Sequence, residues 1–260
     1  MNKVIWITGA SSGIGEELAY QYAERGAKLI LSARREKELE RVKTACANPE
    51  NIKIVPLDLT AFDALESKTE QAIACFGKID VLINNGGVSQ RSLIEETDFS
   101  VYQKPMDINY LGTVGLSKAL LPHFMAQGGG QYVVVTSVMG KYGSPYRSGY
   151  CGAKHALHGF FDVMRMEHQK DGVDVTLICP GFVQTNVTVN ALTGKGTTLG
   201  HDDPATKNGL ALTPFVKKLM KAIDRKAWEV SFGKKEKLGV FVKRISQKIL
   251  HAIVLRSNVR

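Results

Sequence analysis

A tyrosine and a lysine four residues apart, Tyr150 and Lys154, are the pair in this sequence best suited to proton transfer. They fall at the start of a helical pattern, so their side chains share one face about a turn apart. A phenol with an ordinary pKa of about 10 is a poor acid–base group at neutral pH. A nearby ammonium group favours the phenolate, and together the two groups could exchange a proton with a carbonyl or alcohol oxygen.

Two further polar residues are placed where they could join this pair. Ser137 ends an apolar run at 133–137 that is typical of a strand, and the carboxyl ends of strands border the ligand crevice of an open α/β sheet. Its hydroxyl could bind a substrate carbonyl or cap a turn. Asn109 interrupts a helical pattern, where asparagine is locally unfavourable. A role in the site and a structural role are both open for it.

A glycine-rich turn between the first strand and the first helix predicts a dinucleotide site. Residues 8–15 read TGASSGIG. Gly9 allows a tight turn, Gly13 lets the backbone approach a pyrophosphate, and Gly15 lets the helix and strand pack closely. The helix N-terminus then presents free N–H groups to the phosphates. The alternative is an ordinary glycine-rich turn with no ligand.

The end of the second strand indicates which dinucleotide to expect. Arg34 and Arg35 follow this strand, and no carboxylate comes before Glu36. An acidic residue here binds the adenosine ribose diol, whereas an arginine accommodates a 2′-phosphate. We therefore predict NADP(H) in preference to NAD(H), with Arg34 as the phosphate ligand. Arg35 is interpreted as a solvated residue at the start of a helix.

Alternating strand and helix patterns supply the scaffold for these motifs. Short β-branched runs separated by longer helical patterns predict a single-domain α/β Rossmann fold over residues 1–260, with a doubly wound, mostly parallel seven-stranded sheet and helices on both faces. The predicted strands are 4–8, 28–32, 52–57, 81–84, 132–137, 173–179 and 228–232, and the main predicted helices are 14–25, 36–46, 61–75, 101–125 and 150–170. The aperiodic segment 186–212 is predicted to be a substrate lid, with a plain surface loop as the alternative.

Composition narrows the class of protein. No run approaches the roughly 18 apolar residues of a membrane-spanning helix, and the N-terminus lacks a signal-peptide pattern. The four scattered cysteines predict reduced thiols in a cytoplasmic protein. No cluster of His, Asp and Glu has metal-ligand spacing, so no metal is predicted.

The formal charge of +9 is concentrated at the C-terminus, since residues 215–260 carry thirteen Lys and Arg against three Asp and Glu. A nucleic-acid-binding protein would spread such charge over a binding face, so that class is not expected. Residues 237–260 read as one basic amphipathic helix. This helix could lie on an anionic membrane surface, or it could pack against the body or another subunit. Its apolar positions are Leu238, Phe241, Val242, Ile245, Ile249 and Ile253.

Taken in order, the motifs resemble those of the classical short-chain dehydrogenase/reductase family. The resemblance covers residues 4–185 and includes the glycine turn, Asp58 with Leu59, an N-N-G-G segment at 84–87 in place of N-N-A-G, and Pro180-Gly181 with a following Thr185. It implies that Asn109, Ser137, Tyr150 and Lys154 are catalytic. The dinucleotide contacts that it implies are Gly9, Ser11, Ser12, Gly13, Ile14, Gly15, Arg34, Asp58, Leu59, Asn84, Gly86, Tyr150, Lys154, Pro180, Gly181, Val183 and Thr185.

The resemblance also implies a role for each catalytic side chain. Tyr150 would be the acid–base group, and Lys154 would bind the nicotinamide ribose and lower the tyrosine pKa. Ser137 would hold the substrate oxygen, Asn109 would support a water-linked proton relay, and Thr185 would contact the carboxamide. The family resemblance further implies a homodimer or homotetramer.

The substrate can be predicted only as a class. Segments 87–93 and 149–157 are similar to a membrane-associated branch of hydroxysteroid and retinoid reductases. Met139, Tyr142, Tyr146 and Phe182 are candidate walls of a pocket for a hydrophobic carbonyl or alcohol. An NADPH-dependent carbonyl reductase is the leading hypothesis. A non-catalytic NADP(H)-binding regulator on the same fold and a peripheral membrane scaffold are the alternatives.

Overall fold

The computed structural model describes residues 3–257 and contains one parallel seven-stranded sheet. The strand order is β3-β2-β1-β4-β5-β6-β7, which places β1 and β4 side by side at the point where the chain reverses direction across the sheet. A ligand crevice is expected outside the strand ends at such a point. The strands are β1 (Val4–Thr8), β2 (Lys28–Ser32), β3 (Ile52–Ile54), β4 (Val81–Asn84), β5 (Gly130–Val135), β6 (Val173–Pro180) and β7 (Glu229–Phe232).

Helices cover both faces of the sheet, which confirms the predicted single α/β domain with a Rossmann-type fold. The helices are α1 (Gly13–Glu24), α2 (Glu36–Ala45), α3 (Leu65–Phe76), α4 (Phe99–Pro105), α5 (Gly112–Ala126), α6 (Ser148–His168), α7 (Pro204–Lys207), α8 (Leu212–Asp224), α9 (Leu238–Ile245) and α10 (Gln247–Arg256). No helix of the described residues is long and apolar enough to cross a bilayer.

Alternation along β1 shows how the sheet separates two cores. Ile5 and Ile7 point into one cluster, where they meet side chains of α1 and α8. Val4 and Trp6 point into the other cluster, which is built from α3, α5 and α6. Successive side chains of a strand face opposite sides, so an uninterrupted apolar run such as this one requires helices on both sides.

The third and fifth strands end earlier than the sequence predicts. The prediction of a third strand at 52–57 is too long, since β3 ends at Ile54. The amides of Val55 and Leu57 still pair with β2, but Pro56 between them has no N–H to give. The prediction that Ser137 ends its strand is also wrong, because β5 ends at Val135. Ser137 instead caps a 3₁₀ turn at Val138–Gly140, where its hydroxyl accepts the Met139 amide.

The single helix predicted at 101–125 is also wrong, because the chain forms three pieces here. Between α4 and α5 lies a π-helical turn, Met106–Leu111, that contains Asn109. Pro105 ends α4 and cannot donate the backbone hydrogen bond of a continuous helix. The wider turn places the Asn109 side chain against the loop after β4, where it bonds to the Val88 backbone.

The last two segments are more structured than their sequences indicate. Segment 186–212 contains α7 and is joined to the loop after β4 by an isolated bridge between Leu192 and Gln90. The one helix predicted at 237–260 is two helices, α9 and α10, over the residues described. They are separated at Ser246, whose backbone is extended and whose hydroxyl accepts the Ile249 amide. Serine is a favoured N-cap residue, so it ends one helix and starts the next. Residues 258–260 lie outside the described part.

Candidate active site

The glycine turn between β1 and α1 leaves no room for side chains at its three glycines. Gly9 has φ +65°, and a Cβ there would lie 2.8 Å from the Gly86 Cα. Gly13 has φ +57°, and a Cβ on it would lie 3.3 Å from Thr185 Cγ2. A Cβ on Gly15 would collide with the carbonyl oxygen of Gly9. The backbone is therefore exposed to a ligand at the N-terminus of α1, as phosphate binding requires.

Two residues that sequence reasoning did not assign fasten this turn to the loop after β4. The Thr8 hydroxyl accepts the backbone amides of Asn85 and Gly86, both at 3.0 Å. The Asn85 side-chain amide donates to the carbonyls of Thr8 (3.1 Å) and Gly9 (3.3 Å). Thr8 lies in the glycine turn and Asn85 in the 84–87 segment. Their polar side chains within these two motifs could have indicated from the sequence that the two loops are hydrogen-bonded to each other. They fix the two loops at the crevice as one unit.

The two arginines after β2 take different positions. Arg35, interpreted from sequence as solvated, places its Nη2 3.0 Å from Ser11 Oγ and 3.2 Å from Ser12 Oγ. Arg34 is exposed, and its charge acts on Asp58 at the end of the neighbouring loop. The cationic edge of the crevice therefore includes both arginines, one at the serines of the glycine turn and one near Asp58.

The implied adenine-side residues form a small polar turn. The Asp58 carboxylate accepts the backbone amide and the hydroxyl of Thr60, at 2.9 and 2.8 Å. Burial acts to raise the pKa of Asp58, but the Thr60 hydrogen bonds and the Arg34 charge outweigh it, so the pKa lies below its ordinary value. Asp58 is therefore ionised at neutral pH and can accept a hydrogen bond from a ligand.

Asn84 and Gly86 behave differently from each other. The Asn84 side chain is buried and donates to the Ser117 hydroxyl of α5 at 2.9 Å, so it holds β4 to a helix instead of facing the crevice. A Cβ on Gly86, the position where the family has alanine, would lie 2.9 Å from Leu59 Cδ1. The glycine thus allows Leu59, which is also buried, to pack closely under the loop.

The π-helical turn delivers Asn109 to the same loop. Its Oδ1 accepts the Val88 amide at 2.8 Å, and its Nδ2 donates to the Val88 carbonyl at 2.9 Å. A Cβ on Gly87 would lie 2.9 Å from this Oδ1 and 3.7 Å from the Lys154 Nζ. Asn109 and Lys154 therefore border the same small space beside Gly87.

Lys154 is buried and lies on α6 one turn after Tyr150. Its ammonium group donates to the Val135 carbonyl at 2.8 Å, and its Nζ lies 5.8 Å from the centroid of the Tyr150 ring. Burial lowers the pKa of Lys154 to about 8. The ammonium is held at the end of β5, on the crevice side of the sheet.

Ser137 lies close enough to the Tyr150 phenol to act on its pKa, so the structure brings the two predicted ligands of the substrate oxygen together. The Ser137 hydroxyl also lies 3.2 Å from the Pro180 carbonyl, to which it donates. Burial raises the pKa of the Tyr150 phenol above its ordinary value, while Ser137 and the charges of Arg91 and Arg147 act in the opposite direction. The two arginines were not assigned to the site from sequence.

The turn after β6 forms the other wall of the crevice. The Gly181 amide bonds to the Phe232 carbonyl at 2.7 Å, and the absence of a side chain on Gly181 leaves space for the Glu236 carboxylate. Val183 is buried and bridges to Leu210 of the lid segment. Thr185 lies against Gly13 of the glycine turn. The turn is thus in contact with both the glycine turn and the lid.

The four candidate pocket walls divide into two groups. The Tyr142 hydroxyl donates to the Glu236 carbonyl at 2.7 Å, and its ring packs with Val240 and Leu250. Met139 packs on the same cluster, so both side chains support the C-terminal helices. Phe182 lies under the Arg147 guanidinium, 5.6 Å from its ring centroid. Tyr146, with φ +66°, directly precedes Arg147.

A second cluster of reactive groups lies behind β6, away from this crevice. His158, Cys179 and Glu229 come from α6, β6 and β7, and their ligand-type atoms lie within 4.8 Å of one another. The sequence gave no metal-ligand spacing because these residues are far apart along the chain. Lys141 already pairs with the Glu229 carboxylate at 2.8 Å, and the Cys179 pKa is raised by burial to about 12. The cluster is a hydrogen-bonded support for the strand ends.

Comparison with known proteins identifies the family of the chain and structures that share its fold. The short chain dehydrogenase model matches residues 3–196. The Streptomyces avermitilis short-chain dehydrogenase shares the fold with a TM-score of 0.83 at 24% identity, covering 96% of this chain and 95% of that one. An alcohol dehydrogenase from Thermococcus sibiricus, complexed with 5-hydroxy-NADP, has a TM-score of 0.76 at 25% identity, covering 90% and 97%. A short-chain enzyme from Burkholderia phymatum in complex with NAD has a TM-score of 0.77 at 23% identity, covering 88% of each chain.

Curated relatives agree with this assignment. Human dehydrogenase/reductase SDR family member 7 is 49% identical over 206 residues, which are 76% of this chain and 61% of that protein. Rat dehydrogenase/reductase SDR family member 7B is 36% identical over 236 residues, 88% of this chain and 73% of the relative. The chain thus spans about three fifths of the length of the human relative. The family model, the parallel sheet and these relatives together show that the chain belongs to the short-chain dehydrogenase/reductase family of oxidoreductases.

Proposed function

We propose that the chain is an NADP(H)-dependent oxidoreductase that interconverts a carbonyl and a secondary alcohol on a hydrophobic substrate. The observation that carries the proposal is the convergence of Ser137, Tyr150 and Lys154 beside the glycine turn. Ser137 acts to lower the pKa of the Tyr150 phenol, and the Lys154 Nζ lies 5.8 Å from the centroid of the Tyr150 ring. The Asn109 side chain borders the same space.

The residues present fit a nicotinamide dinucleotide. Gly9, Gly13 and Gly15 form a cradle that a Cβ would fill, and the α1 N-terminus supplies N–H groups for a pyrophosphate. Arg35 at the serines of this turn and Arg34 near Asp58 supply guanidinium groups suited to a 2′-phosphate. Two arginines with no carboxylate at the end of β2 favour NADP(H) over NAD(H).

Each side chain of the proposed site has a separate role in the reaction. When bound, the dinucleotide supplies or accepts the hydride. Ser137 Oγ donates a hydrogen bond to the substrate oxygen, and the Tyr150 hydroxyl gives a proton to that oxygen or takes one from it. Lys154 would hold the ribose hydroxyls, and its ammonium, 5.8 Å from the centroid of the Tyr150 ring, would stabilise the phenolate. Asn109 holds the loop at Val88, which positions the edge of the site next to Lys154.

Kinetic measurements separate this proposal from a non-catalytic NADP(H)-binding regulator. The chain should oxidise NADPH in the presence of a ketone from an aromatic and steroidal panel, and Tyr150→Phe should lower kcat by at least about 100-fold while NADPH affinity stays within about threefold. Tyr110→Phe, on the π-helical turn, is a matched control that should keep full activity. NADPH binding with no turnover on any substrate would support the regulator.

We also propose that the outer face of α9 and α10 docks on an anionic membrane surface. The inner face packs on the body through Val240 and Leu250. The outer apolar side chains remain uncovered and lie among lysines and arginines, as in helices that bind at a membrane interface. The exposed apolar residues are Leu238, Phe241, Ile245, Ile249, Ile253 and Leu255.

Vesicle flotation tests the membrane proposal. The chain should float with vesicles containing a third phosphatidylserine at low salt, and the double variant Phe241→Ser with Ile245→Ser should not. Phe99→Ser is the matched control, because Phe99 is about as exposed as Ile245 and more exposed than Phe241 but lies on α4. If the wild-type chain stays unbound, and the double variant instead converts a dimer to a monomer, the face is a subunit interface and the membrane proposal is wrong.

A further inference from the structure

Gln90 is a buried side chain that joins the loop after β4 to the first turn of α6. It is fully buried, and its Oε1 accepts the Gly149 backbone amide at 3.2 Å. Its Nε2 donates to the Ser92 carbonyl at 3.1 Å and to the Ser92 hydroxyl at 2.7 Å. A carbonyl can only accept and a backbone amide can only donate, so these contacts fix the orientation of the side-chain amide. Gln90 therefore uses both polar ends of its side chain.

The first turn of α6 needs an acceptor of this kind. An α-helix cannot bond its own first amides, and a side chain at the N-cap commonly supplies the acceptor. The N-cap residue of α6 is Arg147, and a guanidinium group cannot accept a hydrogen bond. The helical hydrogen bonds begin at the Cys151 amide, which donates to the Arg147 carbonyl at 2.7 Å. Gln90 thus supplies, from a distant segment, the acceptor that the N-cap side chain cannot.

Gly149 is held from a second side by α4. A Cβ at Gly149 would lie 3.0 Å from Tyr102 Cδ1, and the Ser148 hydroxyl donates to the Tyr102 hydroxyl at 3.4 Å. Gly149 therefore lies between the Tyr102 ring and the side-chain amide of Gln90. Tyr150 is the next residue along the chain, so a shift of Gly149 also moves the backbone from which the Tyr150 side chain extends.

The stretch that carries Gln90 is itself anchored on two sides. Gln90 pairs with Leu192 of the lid segment in an isolated bridge, and the Arg91 amide donates to the Leu192 carbonyl at 2.8 Å. On the other side, the Ser92 amide donates to the Tyr146 carbonyl at 3.1 Å. Residues 89–92 therefore lie between the lid segment and the chain that enters α6, and Gln90 extends from a fixed backbone.

We propose that Gln90 is a positioning residue that sets the location of the Tyr150 phenol by holding the Gly149 amide. The proposal rests on the proposed function, in which Tyr150 is the acid–base group. Proton transfer requires heavy-atom distances of about 2.6–3.2 Å. A displacement of the first turn of α6 would therefore slow the reaction while leaving the groups that bind the dinucleotide in place.

Removal of the acceptor should affect turnover more than binding. Gln90→Met keeps a side chain of similar length but leaves the Gly149 amide without its acceptor. We expect kcat to fall by about 10- to 100-fold, since a misplacement of about 1 Å can cost about that much in rate. The KM for the ketone and the affinity for NADPH should each stay within about threefold of wild type, because the glycine turn and the arginines after β2 are unchanged.

Gln131→Met is the matched control. Gln131 is also buried, and its side-chain amide donates to the Thr176 hydroxyl at 3.0 Å and to the Ile223 carbonyl at 3.1 Å. These partners lie on β6 and α8, away from the first turn of α6. Gln131→Met should lower the urea midpoint of unfolding as Gln90→Met does, but it should keep the wild-type kcat. A glutamine that only supports the fold would give the same result at both positions.

A fluorinated tyrosine at position 150 provides a reading that needs no turnover. Its 19F signal is recorded in the full chain of wild type and of both glutamine variants. The signal should shift or broaden in Gln90→Met and stay at its wild-type position in Gln131→Met. Circular dichroism identifies a variant that does not fold. Gln90→Asn then replaces Gln90→Met, because it keeps an amide in the site but is one methylene too short to reach both Gly149 and Ser92.

A displaced Tyr150 signal and a reduced kcat in the Gln90 variant, with neither change in Gln131→Met, are the expected result. A wild-type signal or a wild-type kcat in the folded Gln90 variant, or equal changes in the two glutamine variants, would overturn the proposal. The proposed function is tested separately by NADPH oxidation in the wild-type chain. A displaced signal without wild-type turnover would remove the reductase assignment and leave the link between Gln90 and Tyr150 standing, and turnover with an undisplaced signal would do the reverse.

Discussion

Asn109 and Val88 are joined by two hydrogen bonds that pair one side-chain amide with both polar groups of one backbone residue. Asn109 is fully buried, so Asn109→Ala would leave the N–H and C=O of Val88 without partners. We expect the free energy of unfolding to fall by about 1–3 kcal/mol, because Val88 is half-buried and an unsatisfied buried group costs about 1–3 kcal/mol. Urea unfolding measures the change.

An exposed asparagine provides the control for this prediction. The exposed Asn208 side chain donates to the Pro204 carbonyl at 2.9 Å, and Asn208→Ala should cost less than about 1 kcal/mol. Equal losses in the two variants would contradict the role assigned to the Asn109–Val88 pair.

Removing the guanidinium groups after β2 should change dinucleotide preference. We expect Arg34→Ala and Arg35→Ala each to weaken NADPH binding by about 10- to 100-fold, since hydrogen bonds to charged groups contribute about 1.5–3 kcal/mol. NADH binding should change by less than about threefold. Fluorescence titration with both dinucleotides gives the ratio. Arg41→Ala is the control, because Arg41 lies on α2 and pairs with Glu16. Unchanged NADPH affinity in Arg34→Asp would refute the NADP(H) preference.

Two glycine-to-alanine variants should differ sharply. The Cβ of Gly15→Ala meets the backbone oxygen of Gly9, whereas that of Gly86→Ala comes closest, at 2.9 Å, to the end of the flexible Leu59 side chain. We expect Gly15→Ala to abolish measurable NADPH binding and Gly86→Ala to keep it within about threefold of the wild type. Calorimetric titration compares the two. A loss of binding in Gly86→Ala as large as that in Gly15→Ala would contradict this reading of the turn.

We expect the ionisation of Glu229 to make part of the free energy of unfolding depend on pH. The His158 ring, whose Nδ1 lies 3.4 Å from the carboxylate, and the Lys141 ammonium at 2.8 Å act against burial and lower the pKa of Glu229 to about 2, below the value of about 4.3 expected in the unfolded chain. A lowered folded pKa stabilises the fold above the unfolded value, and this stabilisation is lost as the pH falls towards 2. The difference in unfolding free energy between wild type and Glu229→Gln should therefore be largest above pH 5 and shrink below about pH 4.5.

A solvent-exposed glutamate completes that experiment. Glu70 lies exposed on α3, and Glu70→Gln should differ little from wild type at any pH. A difference for Glu229→Gln that stays constant from pH 6 to pH 3 would show that its ionisation does not contribute to folding stability.

The seven strands and their parallel arrangement between helices followed from local patterns, because uninterrupted apolar runs are recognised within a few residues. The interruption of the predicted helix at 101–125 and the orientation of Tyr142 depend on contacts between residues distant in sequence, which a local sequence pattern does not contain. Asn109 widens its helix because Val88 lies opposite it, and Tyr142 faces the C-terminal helices because Gly239 leaves space for its ring. The break at Ser246 is different, because a serine immediately before an apolar helical pattern is a recognised sign of a helix N-terminus.

The electrostatics of the site were the least visible from sequence. Lys154 was expected to set the tyrosine pKa, and the structure adds two buried arginines, Arg91 and Arg147, which come from separate segments and both lie near the Asp203 carboxylate of the lid segment. Similarly, Arg35 looked like a solvated residue until its guanidinium was found on Ser11 and Ser12. Long-range charge contacts require the fold before they can be recognised.

The most direct test of the central claim is NADPH oxidation by wild type and Tyr150→Phe at matched, saturating NADPH. The substrates are a panel of aromatic, steroidal and aliphatic ketones. The proposed function predicts turnover with at least one hydrophobic ketone and its loss in Tyr150→Phe, with NADPH affinity retained. Equal turnover in the two proteins would contradict the assignment of Tyr150 as the acid–base group and, with it, the mechanism proposed for this site.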